Sequence, residues 1–412
     1  MIRFSIPFIL LLSYAIGSKA QQAFTVFNAT NSPLPENSVR CVASAPNGLK
    51  WIGTDYGLAS YDGTNWTIYN TFNSSIPDNS IRSLAVDSNY IWVGTFNGGL
   101  GRFDGLNWTT YNTSNSQLPD DFVRSLSKDS TGNLWVGTIG GLGVFDGIGW
   151  TIYNQSNTPL QSINISALHH NANSTFVGTI NGGMGIFTNS NWQHFTIANS
   201  NIPDNSILSI TEDNVGTPWI ATPANGISAY IGGIQFLTFS TLSSGIASNS
   251  TTSVRHSTLT NELWIGSSDA GIIRKSGLIF QNYHPSNSLM PDVFVQCIHV
   301  DPQGIVWAGT QIGGLVRIDP VLLTSINEPM HTSYIAVFPN PATDWIHIKN
   351  TADGPGVVSV IDMQGRVVAR QAFESNSESM NIQVAELPIG NYHVVVSCFS
   401  GPTNRAIFVK SH

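Results

Sequence analysis

A four-residue motif, an aromatic residue followed by a hydrophobic residue, glycine and threonine, recurs along most of this chain. Trp51-Ile52-Gly53-Thr54 is the first copy. The seven copies, some with a conservative replacement, begin at Trp51, Trp92, Trp135, Phe176, Trp219, Trp264 and Trp307. The spacing between their first residues runs from 41 (Trp51 to Trp92) to 45 (Trp219 to Trp264) positions. A period of this length around a tryptophan-centred β segment is typical of the blades of a β-propeller.

Each repeat divides into four short strands, named a to d, and the first repeat shows the pattern. Asn47-Gly48 and Asp62-Gly63 are two-residue hairpin turns of the favoured kind, between strands a and b and between strands c and d. The four strands are predicted at Val39 to Ala43, Lys50 to Thr54, Gly57 to Tyr61 and Trp66 to Tyr69.

The two ends of the repeat region complement each other. The seventh repeat stops after its strand c, Leu315 to Ile318, whereas a strand-d segment, Phe24 to Phe27, precedes the first repeat. A ring in which the N-terminal strand completes the last blade explains both ends and leaves no open sheet edge. The sequence therefore predicts an all-β fold with a seven-bladed β-propeller over residues 21–320.

The composition excludes nucleic acid as a partner. Charged residues make up 10% of the 412 residues, against about 25% in a typical globular protein, whereas hydrophobic residues make up 41%. The formal net charge is −8. Because binding to nucleic acid needs a clustered basic face, the chain is not expected to bind it.

Residues 1–20 have the pattern of a secretory signal peptide. Arg3 precedes an apolar run, and Ser18-Lys19-Ala20 has the small-residue pattern of a cleavage site. No later stretch is long and apolar enough to be a transmembrane segment. An exported and soluble mature protein is expected.

Three cysteines are an odd number for an exported chain. Cys41 and Cys297 occupy matching positions of the first and last repeats, which become neighbours if the ring closes. A disulfide between them is one option. Equivalent strands of adjacent blades usually lie too far apart for disulfide geometry, so free thiols are favoured.

Ten of the eleven tryptophans lie on strand b or strand d of the repeats. One interpretation is an aromatic surface that stacks on carbohydrate. The other is packing between neighbouring blades, where large rings fill the space between sheets. Recurrence in every blade favours packing.

Ligands of propellers usually bind on the face where the d-to-a and b-to-c loops meet, and arginine is unevenly distributed there. Guanidinium groups suit carboxylates, sulfates and phosphates. Strand a begins with Arg40, Arg82 and Arg124 in the first three repeats, with Ser166, Leu208 and Gln296 in the fourth, fifth and seventh, and Arg255 is an approximate match in the sixth. Asp78 and Asp120 of the d-to-a loops are further candidates for ligand binding. In the alternative interpretation, arginine and aspartate pair between adjacent blades and only order the loops.

The b-to-c loops vary more than the strands that they join. Variable loops on a rigid scaffold usually carry binding specificity. Tyr56 and Phe96 are candidates for stacking on a sugar ring, and Asn97 and Asn181 are further candidate ligand-binding residues.

The sequence offers little support for a catalytic or metal site. Adjacent residues of an extended segment point apart, so Asp120-Asp121 does not present two carboxyls to one cleft, as glycoside hydrolysis requires. His169-His170 lacks the spacing of a zinc motif. No catalytic residue, metal ligand or cofactor is predicted.

The segment from Asp129 to Leu142, Asp-Ser-Thr-Gly-Asn-Leu-Trp-Val-Gly-Thr-Ile-Gly-Gly-Leu, resembles the two-component regulator propeller repeat. This repeat is common in exported sensor regions of Bacteroidetes bacteria. In that family the propellers often form the sensing half of hybrid histidine kinases that respond to glycan fragments. This sequence departs from the family because it shows no membrane span, kinase or response-regulator region. A signalling role is therefore not expected, whereas ligand binding is compatible with the resemblance.

Short alternating strands in the tail predict a small Ig-like β-sandwich over residues 335–412, joined by a linker at 321–334. The predicted strands are Trp345 to Ile348, Val357 to Asp362, Gly365 to Ala369, Asn391 to Ser397 and Ala406 to Lys410. Phe338–Pro341, Val360–Val367 and Leu387–Tyr392 resemble, in order, three motifs of the type IX secretion system C-terminal sorting domain. The resemblance implies export by the type IX secretion machinery and later removal of the tail. The propeller is then expected to be secreted or held on the outer surface of a Gram-negative, Bacteroidetes-like bacterium.

Two functions of different classes are compatible with these patterns. A secreted or cell-surface binding propeller that recognises an extracellular ligand, an acidic glycan or a protein, is favoured. The alternative is an extracellular polysaccharide lyase, which needs a base and a group that neutralises a carboxylate. His169 or His256 beside the arginines would favour the lyase, whereas arginines and aromatic residues without a base would favour binding. A purely structural scaffold is a third option.

Overall fold

The computed structural model describes residues 23–233, 235–324, 336–349, 356–362, 367–374, 379–398 and 403–411. The predicted signal peptide, most of the predicted linker and residues 363–366 of the second tail motif lie outside the described residues. The chain divides into two compact units, residues 1–326 and 327–412. Within the described ranges no helix is long and apolar enough to cross a membrane.

Four-stranded antiparallel sheets form the described part of the first unit, and seven of them lie between residues 23 and 318. The first three are β2–β5 (Val39–Ser44, Lys50–Thr54, Gly57–Tyr61, Trp66–Tyr69), β6–β9 (Ile81–Val86, Ile91–Thr95, Leu100–Phe103, Trp108–Tyr111) and β10–β13 (Val123–Lys128, Leu134–Thr138, Leu142–Phe145, Trp150–Tyr153). The next three are β14–β17 (Ile165–His170, Ser174–Thr179, Met184–Thr188, Asn191–Phe195), β18–β21 (Ser209–Glu212, Pro218–Ala221, Ile227–Ile231, Gln235–Phe239) and β22–β25 (Thr251–Ser257, Glu262–Ser267, Ile272–Ser276, Ile279–Tyr283). The last sheet contains β26–β28 (Val295–Val300, Val306–Thr310, Leu315–Ile318) and β1 (Phe24–Phe27).

The N-terminal strand is part of the last sheet. β1 pairs antiparallel with β28, from Phe24 opposite Ile318 to Phe27 opposite Leu315. The first strands of successive sheets contact one another, and β26 of the last sheet contacts β2 of the first. Strand a is therefore the inner strand of each sheet, and strand d is the outer one.

The aromatic residues of strand b fill the space between adjacent sheets. Trp51, for example, contacts Tyr69 of its own sheet and Phe103 of the next, with ring centroids 5.6 and 6.1 Å away. The six strand-b tryptophans are at most 8% exposed. Their burial supports the packing interpretation over a stacking surface for carbohydrate.

A short helix, α1 (Pro320–Thr324), follows β28 where the sequence predicts the start of a linker. The Asp319 carboxylate accepts the Val321 N–H at 3.2 Å, which caps the helix. Proline suits the first helical position because its missing N–H would lack a partner there.

The described part of the second unit contains two antiparallel sheets. One contains β29 (Ala336–Phe338), β30 (Trp345–Lys349) and β33 (Ser379–Gln383), and the other contains β31 (Gly356–Asp362), β32 (Val367–Phe373), β34 (Gly390–Cys398) and β35 (Thr403–Lys410). Ile346, Val358, Val394 and Phe408 are buried in one hydrophobic core. The sequence prediction missed β29 and β33.

Candidate anion-binding site

The d-to-a and b-to-c loops lie together at one end of the sheets of the first unit, which is called the loop face. The Asn97 N–H of a b-to-c loop donates to Asp78 of a d-to-a loop at 3.0 Å. The Ile312 N–H donates to Asp292 at 2.9 Å in the same way. These bonds hold a b-to-c loop against the d-to-a loop that precedes its own sheet.

A β-bulge in strand a places the three predicted arginines at this face. The pairing register with strand b shifts by one residue around Arg40, Arg82 and Arg124. A bulged residue is left out of the ladder, so its side chain is aimed in a new direction. The same position holds Ser166, Thr252 and Gln296 in three other sheets.

Arg255 does not belong to this set. Its approximate match to the other arginines was wrong, because the register places Thr252 at the bulge and pairs Arg255 with Trp264. Its guanidinium donates to Ser209 Oγ and to the Val254 carbonyl, both at 2.8 Å. The direction of a side chain depends on its position in the strand register, and not on its distance from a loop in the sequence.

Arg40 and Arg82 share one carboxylate, that of Asp55 in the first b-to-c loop. Arg40 donates to Asp55 through Nε at 3.1 Å and NH2 at 2.8 Å, and Arg82 NH1 lies 3.3 Å from the same carboxylate. Ser38 Oγ also donates to it, at 2.7 Å. Burial opposes ionisation of Asp55, but the hydrogen bonds from Arg40 and Ser38 and the charges of both arginines outweigh it and lower its pKa. Asp55 is therefore charged at neutral pH.

The other polar candidates order backbone or side chains of the loops. Asp78 accepts the Asn97 N–H, and Asp120 accepts the Phe122 N–H at 2.8 Å. The Asn181 N–H donates to Ser206 Oγ at 3.1 Å, and the Asn181 side-chain oxygen accepts from the same hydroxyl at 3.0 Å. An arginine–aspartate pair between adjacent sheets does exist, as the alternative interpretation expected, but its aspartate is Asp55.

Arg124 has no carboxylate partner among the described residues. Its NH1 donates to Asn164 Oδ1 at 3.0 Å. Phe96 and Phe122 form a T-shaped pair, 4.6 Å between ring centroids, that links Arg124 to Arg82. Arg82 lies 4.9 Å from the Phe96 ring and Arg124 lies 5.6 Å from the Phe122 ring, which are cation–π distances.

The name arginine cluster is used for Arg40, Arg82 and Arg124. The positive charges of its guanidinium groups repel one another. Burial lowers the pKa values of Arg82 and Arg124, and a neighbouring arginine lowers each further, Arg40 for Arg82 and Arg82 for Arg124. Arginine remains protonated in proteins, so proton loss does not relieve this repulsion. Arg82 Nε is also buried without a hydrogen-bond partner among the described residues. An anion close to the guanidinium groups of Arg82 and Arg124 would offset the repulsion.

Exposed rings lie beside the arginine cluster. Tyr56, which follows Asp55, is 65% exposed, and Phe96 is 38% exposed.

Sequence reasoning missed the roles of Phe122 and Gln296, the residue that accepts a hydrogen bond from Arg40 NH1. The third repeat has Phe122 directly before strand a, where the first two repeats have serine. This replacement was the signal that could have pointed to Phe122.

The two histidines considered as bases have other partners. His169 Nε2 lies 3.5 Å from Glu212, and burial lowers the pKa of His169. His256 Nε2 and the Asn261 side-chain oxygen are 3.0 Å apart. Within the described ranges, no group of three His, Cys, Asp or Glu residues could hold a metal ion. Cys41 and Cys297 are free thiols.

Family comparisons match both halves of the chain. The two-component regulator propeller family matches residues 75–97 and 117–140, and the secretion system C-terminal sorting domain matches residues 336–410. The chain carries two-component regulator propeller repeats and a secretion system C-terminal sorting domain. The sorting domain indicates secretion or outer-surface location in a Bacteroidetes-type bacterium and implies interaction with the secretion machinery. No curated protein sequence matches the chain.

Solved structures share the propeller fold at low sequence identity. The extracellular domain assigned to a hybrid two-component system of B. thetaiotaomicron is 20% identical with a TM-score of 0.62, over 93% of this chain and 54% of that one. PorZ, an essential surface component of the type-IX secretion system of Porphyromonas gingivalis, is 16% identical with a TM-score of 0.55, over 91% of this chain and 60% of PorZ. Virginiamycin B lyase from Staphylococcus aureus is 18% identical with a TM-score of 0.57, over 71% of this chain and 98% of the lyase. The chain thus spans little more than half of the first two proteins, and these likenesses show the fold alone.

Proposed function

We propose that the chain is a secreted or surface-displayed seven-bladed β-propeller that binds an anionic group of an extracellular ligand at the arginine cluster. The propeller spans residues 21–320 and is closed by β1, after removal of a signal peptide at 1–20. A linker at 321–334 joins it to an Ig-like sorting domain at 335–412. The seven four-stranded sheets, the pairing of β1 with β28 and the contact between β2 and β26 support the ring.

The observation that carries the binding function is the imbalance of charge in the arginine cluster. Three guanidinium groups have a single carboxylate, Asp55, within ion-pairing distance among the described residues. Partial burial strengthens the attraction of the unpaired charges for an anion, because the local dielectric is lower than that of water. A carboxylate or sulfate accepts from Arg82 and Arg124 together, as the guanidinium geometry favours.

The neighbouring rings favour an anion that is carried on a sugar. Phe96 and Tyr56 offer exposed aromatic faces beside the cluster, and such faces pack against the apolar side of a sugar ring. An acidic glycan is thus preferred over a protein ligand. The positions of His169 and His256, beside Glu212 and Asn261, favour binding over the lyase alternative, which needs a base next to the arginines.

Binding assays on residues 21–412 test this function. The probes are oligogalacturonate, which carries carboxylates, a heparin oligosaccharide, which carries sulfates, and a neutral dextran oligosaccharide. Arg124→Gln removes a charge without leaving a carboxylate unpaired, and it is expected to weaken binding of an acidic probe about 10- to 100-fold, from the strength of a charged hydrogen bond. Arg317→Gln removes a charge from β28 of the last sheet, outside the arginine cluster, where Arg317 lies 3.6 Å from Asp319, and it should leave binding unchanged.

Two outcomes would contradict the proposal. One is the absence of saturable binding by both acidic probes. The other is binding that Arg124→Gln and Arg317→Gln weaken equally, because such binding would depend on net charge rather than on the arginine cluster. Overnight incubation of a bound probe, followed by chromatography of its fragments, tests the lyase alternative on the same samples.

A further inference from the structure

The first strands of the sheets surround a central channel in the first unit, because each of them contacts the first strand of the next sheet and β26 contacts β2. Arg255 belongs to β22, one of these inner strands. Its NH1 donates to two groups of β18, the inner strand of the preceding sheet: Ser209 Oγ at 2.8 Å and the Ile210 carbonyl at 3.4 Å. The side chain therefore bridges two inner strands.

Arg255 lies deep in the unit but is not sealed off from solvent. Burial lowers its pKa, yet part of its surface stays accessible. The same is true of His169 on β14 and His299 on β26, whose pKa values are lowered first by burial and further by the charge of Arg255. A guanidinium within electrostatic reach of inner strands on both sides lies towards the axis of the channel, rather than between one pair of sheets.

The guanidinium of Arg255 has no partner of opposite charge among the described residues. NH1 makes three hydrogen bonds, and all three acceptors are uncharged oxygen atoms. Nε and NH2 find no acceptor in the part of the chain that the structure describes. Glu212, a carboxylate on the neighbouring strand β18, instead accepts a hydrogen bond from Asn171 at 3.0 Å and lies 3.5 Å from His169 Nε2.

Titratable groups near Arg255 leave its charge in place. His299 has a pKa of about 4, mainly because it is buried, and burial raises the pKa of the Cys297 thiol to about 12. Both groups are therefore uncharged at neutral pH. Arginine does not lose its proton in proteins. An unpaired charge in a protein interior is costly, and an opposite charge beside it offsets part of that cost.

We propose that the channel binds a small monovalent inorganic anion of the halide class at Nε and NH2 of Arg255. The N–H groups of a guanidinium form a planar fork, so a single anion accepts from two of them. One negative charge balances the one positive charge of Arg255, whereas a divalent anion would leave an excess. The inner strands enclose the site, which favours an ion over a ligand as large as a sugar. This inference does not depend on the proposed function, because Arg255 is not part of the arginine cluster.

Thermal unfolding of residues 21–412 tests the proposal. Sodium chloride is titrated against sodium isethionate, an organic sulfonate, at constant ionic strength. An ion that binds only the folded chain stabilises it, so chloride at about ten times its dissociation constant should raise Tm by about 2–4 °C. Arg255→Met removes the charge and keeps a long, flexible side chain. This variant should lose the dependence on chloride, and in isethionate it should be at least as stable as the unmodified protein, because the unpaired charge is gone.

Two other substitutions separate the channel from the rest of the molecule. Arg102→Met is the matched control, because Arg102 lies on β8, outside the inner strands, 4.8 Å from the Tyr90 ring. Arg124→Gln removes a charge from the arginine cluster. Both variants should keep the dependence on chloride that the unmodified protein shows.

Crystals of the unmodified protein grown in sodium bromide give a second, independent measurement. Anomalous diffraction at the bromine absorption edge should show a bromide in contact with the Arg255 guanidinium, and this result decides if Arg255→Met shows no cooperative unfolding transition. Equal dependence on chloride in Arg255→Met and the unmodified protein, or the absence of bromide beside Arg255, would overturn the proposal. Loss of the dependence on chloride in Arg124→Gln but not in Arg255→Met would assign the effect to the arginine cluster and overturn it as well.

Discussion

Substitution of the motif glycine by alanine provides a quantitative test of how the sheets of the first unit pack. A Cβ atom at Gly94 would lie 2.2 Å from Ser83 Oγ and 2.6 Å from Cγ1 of Val123, which belongs to the next sheet. Val123 is fully buried and β-branched, so it cannot turn away easily. Overpacking of a core destabilises a protein by about 1–3 kcal/mol. Replacement of glycine also restricts the unfolded chain, which stabilises the folded protein by about 0.4–1 kcal/mol. Gly94→Ala should therefore lower the free energy of unfolding by about 1–2 kcal/mol.

Urea titration followed by tryptophan fluorescence measures this difference from the change in midpoint. Gly149→Ala is the matched control, because no atom lies within 4 Å of a Cβ placed there; it should leave stability unchanged or raise it slightly. The fifth sheet has Ala221 at the motif position, and the residue of the sixth sheet that corresponds to Val123 is Thr251. Gly94→Ala with Val123→Thr should therefore cost less than the sum of the single changes. Equal stability of the Gly94→Ala and Gly149→Ala proteins would refute the reasoning.

Two further predictions concern buried polar groups of the first unit. Asp129→Ala removes the acceptor of the Trp135 indole N–H and should lower the free energy of unfolding by about 1–3 kcal/mol in the same titration; an unchanged midpoint would contradict it. Burial, and then the charge of Arg255, hold the pKa of His299 at about 4, below the value of about 6.5 in an unfolded chain. The unfolded state thus takes up the proton first, so the contribution of His299 to stability is complete above pH 6.5 and falls towards pH 4 by up to about 1.4 kcal/mol per pH unit. His299→Gln should make the pH dependence of the urea midpoint shallower, and an equal slope in both proteins would show that His299 is not the group responsible.

Local patterns in the sequence predicted most strands of the first unit. The predicted bounds of the first repeat differ from the observed ones by one residue at one strand end, Ser44. Hydrophobic alternation and glycine-containing turns are local signals, which explains this agreement. Short strands carry little periodicity, so β29, with three residues, was missed in the second unit.

The sequence by itself determined the repeat, the positions of the strands in each repeat, the sorting domain and the end of the sheets at which Arg40, Arg82 and Arg124 lie. Tertiary structure alone decided that Asp55 pairs with two of these arginines and that Arg124 has no carboxylate partner among the described residues. It also decided that Thr252 occupies the bulge of the sixth repeat. The physical reason is that ion pairs between loops, and the direction of a side chain at a bulge, depend on strand register and on the distance between adjacent sheets. These are long-range properties that no spacing of residues along one strand contains.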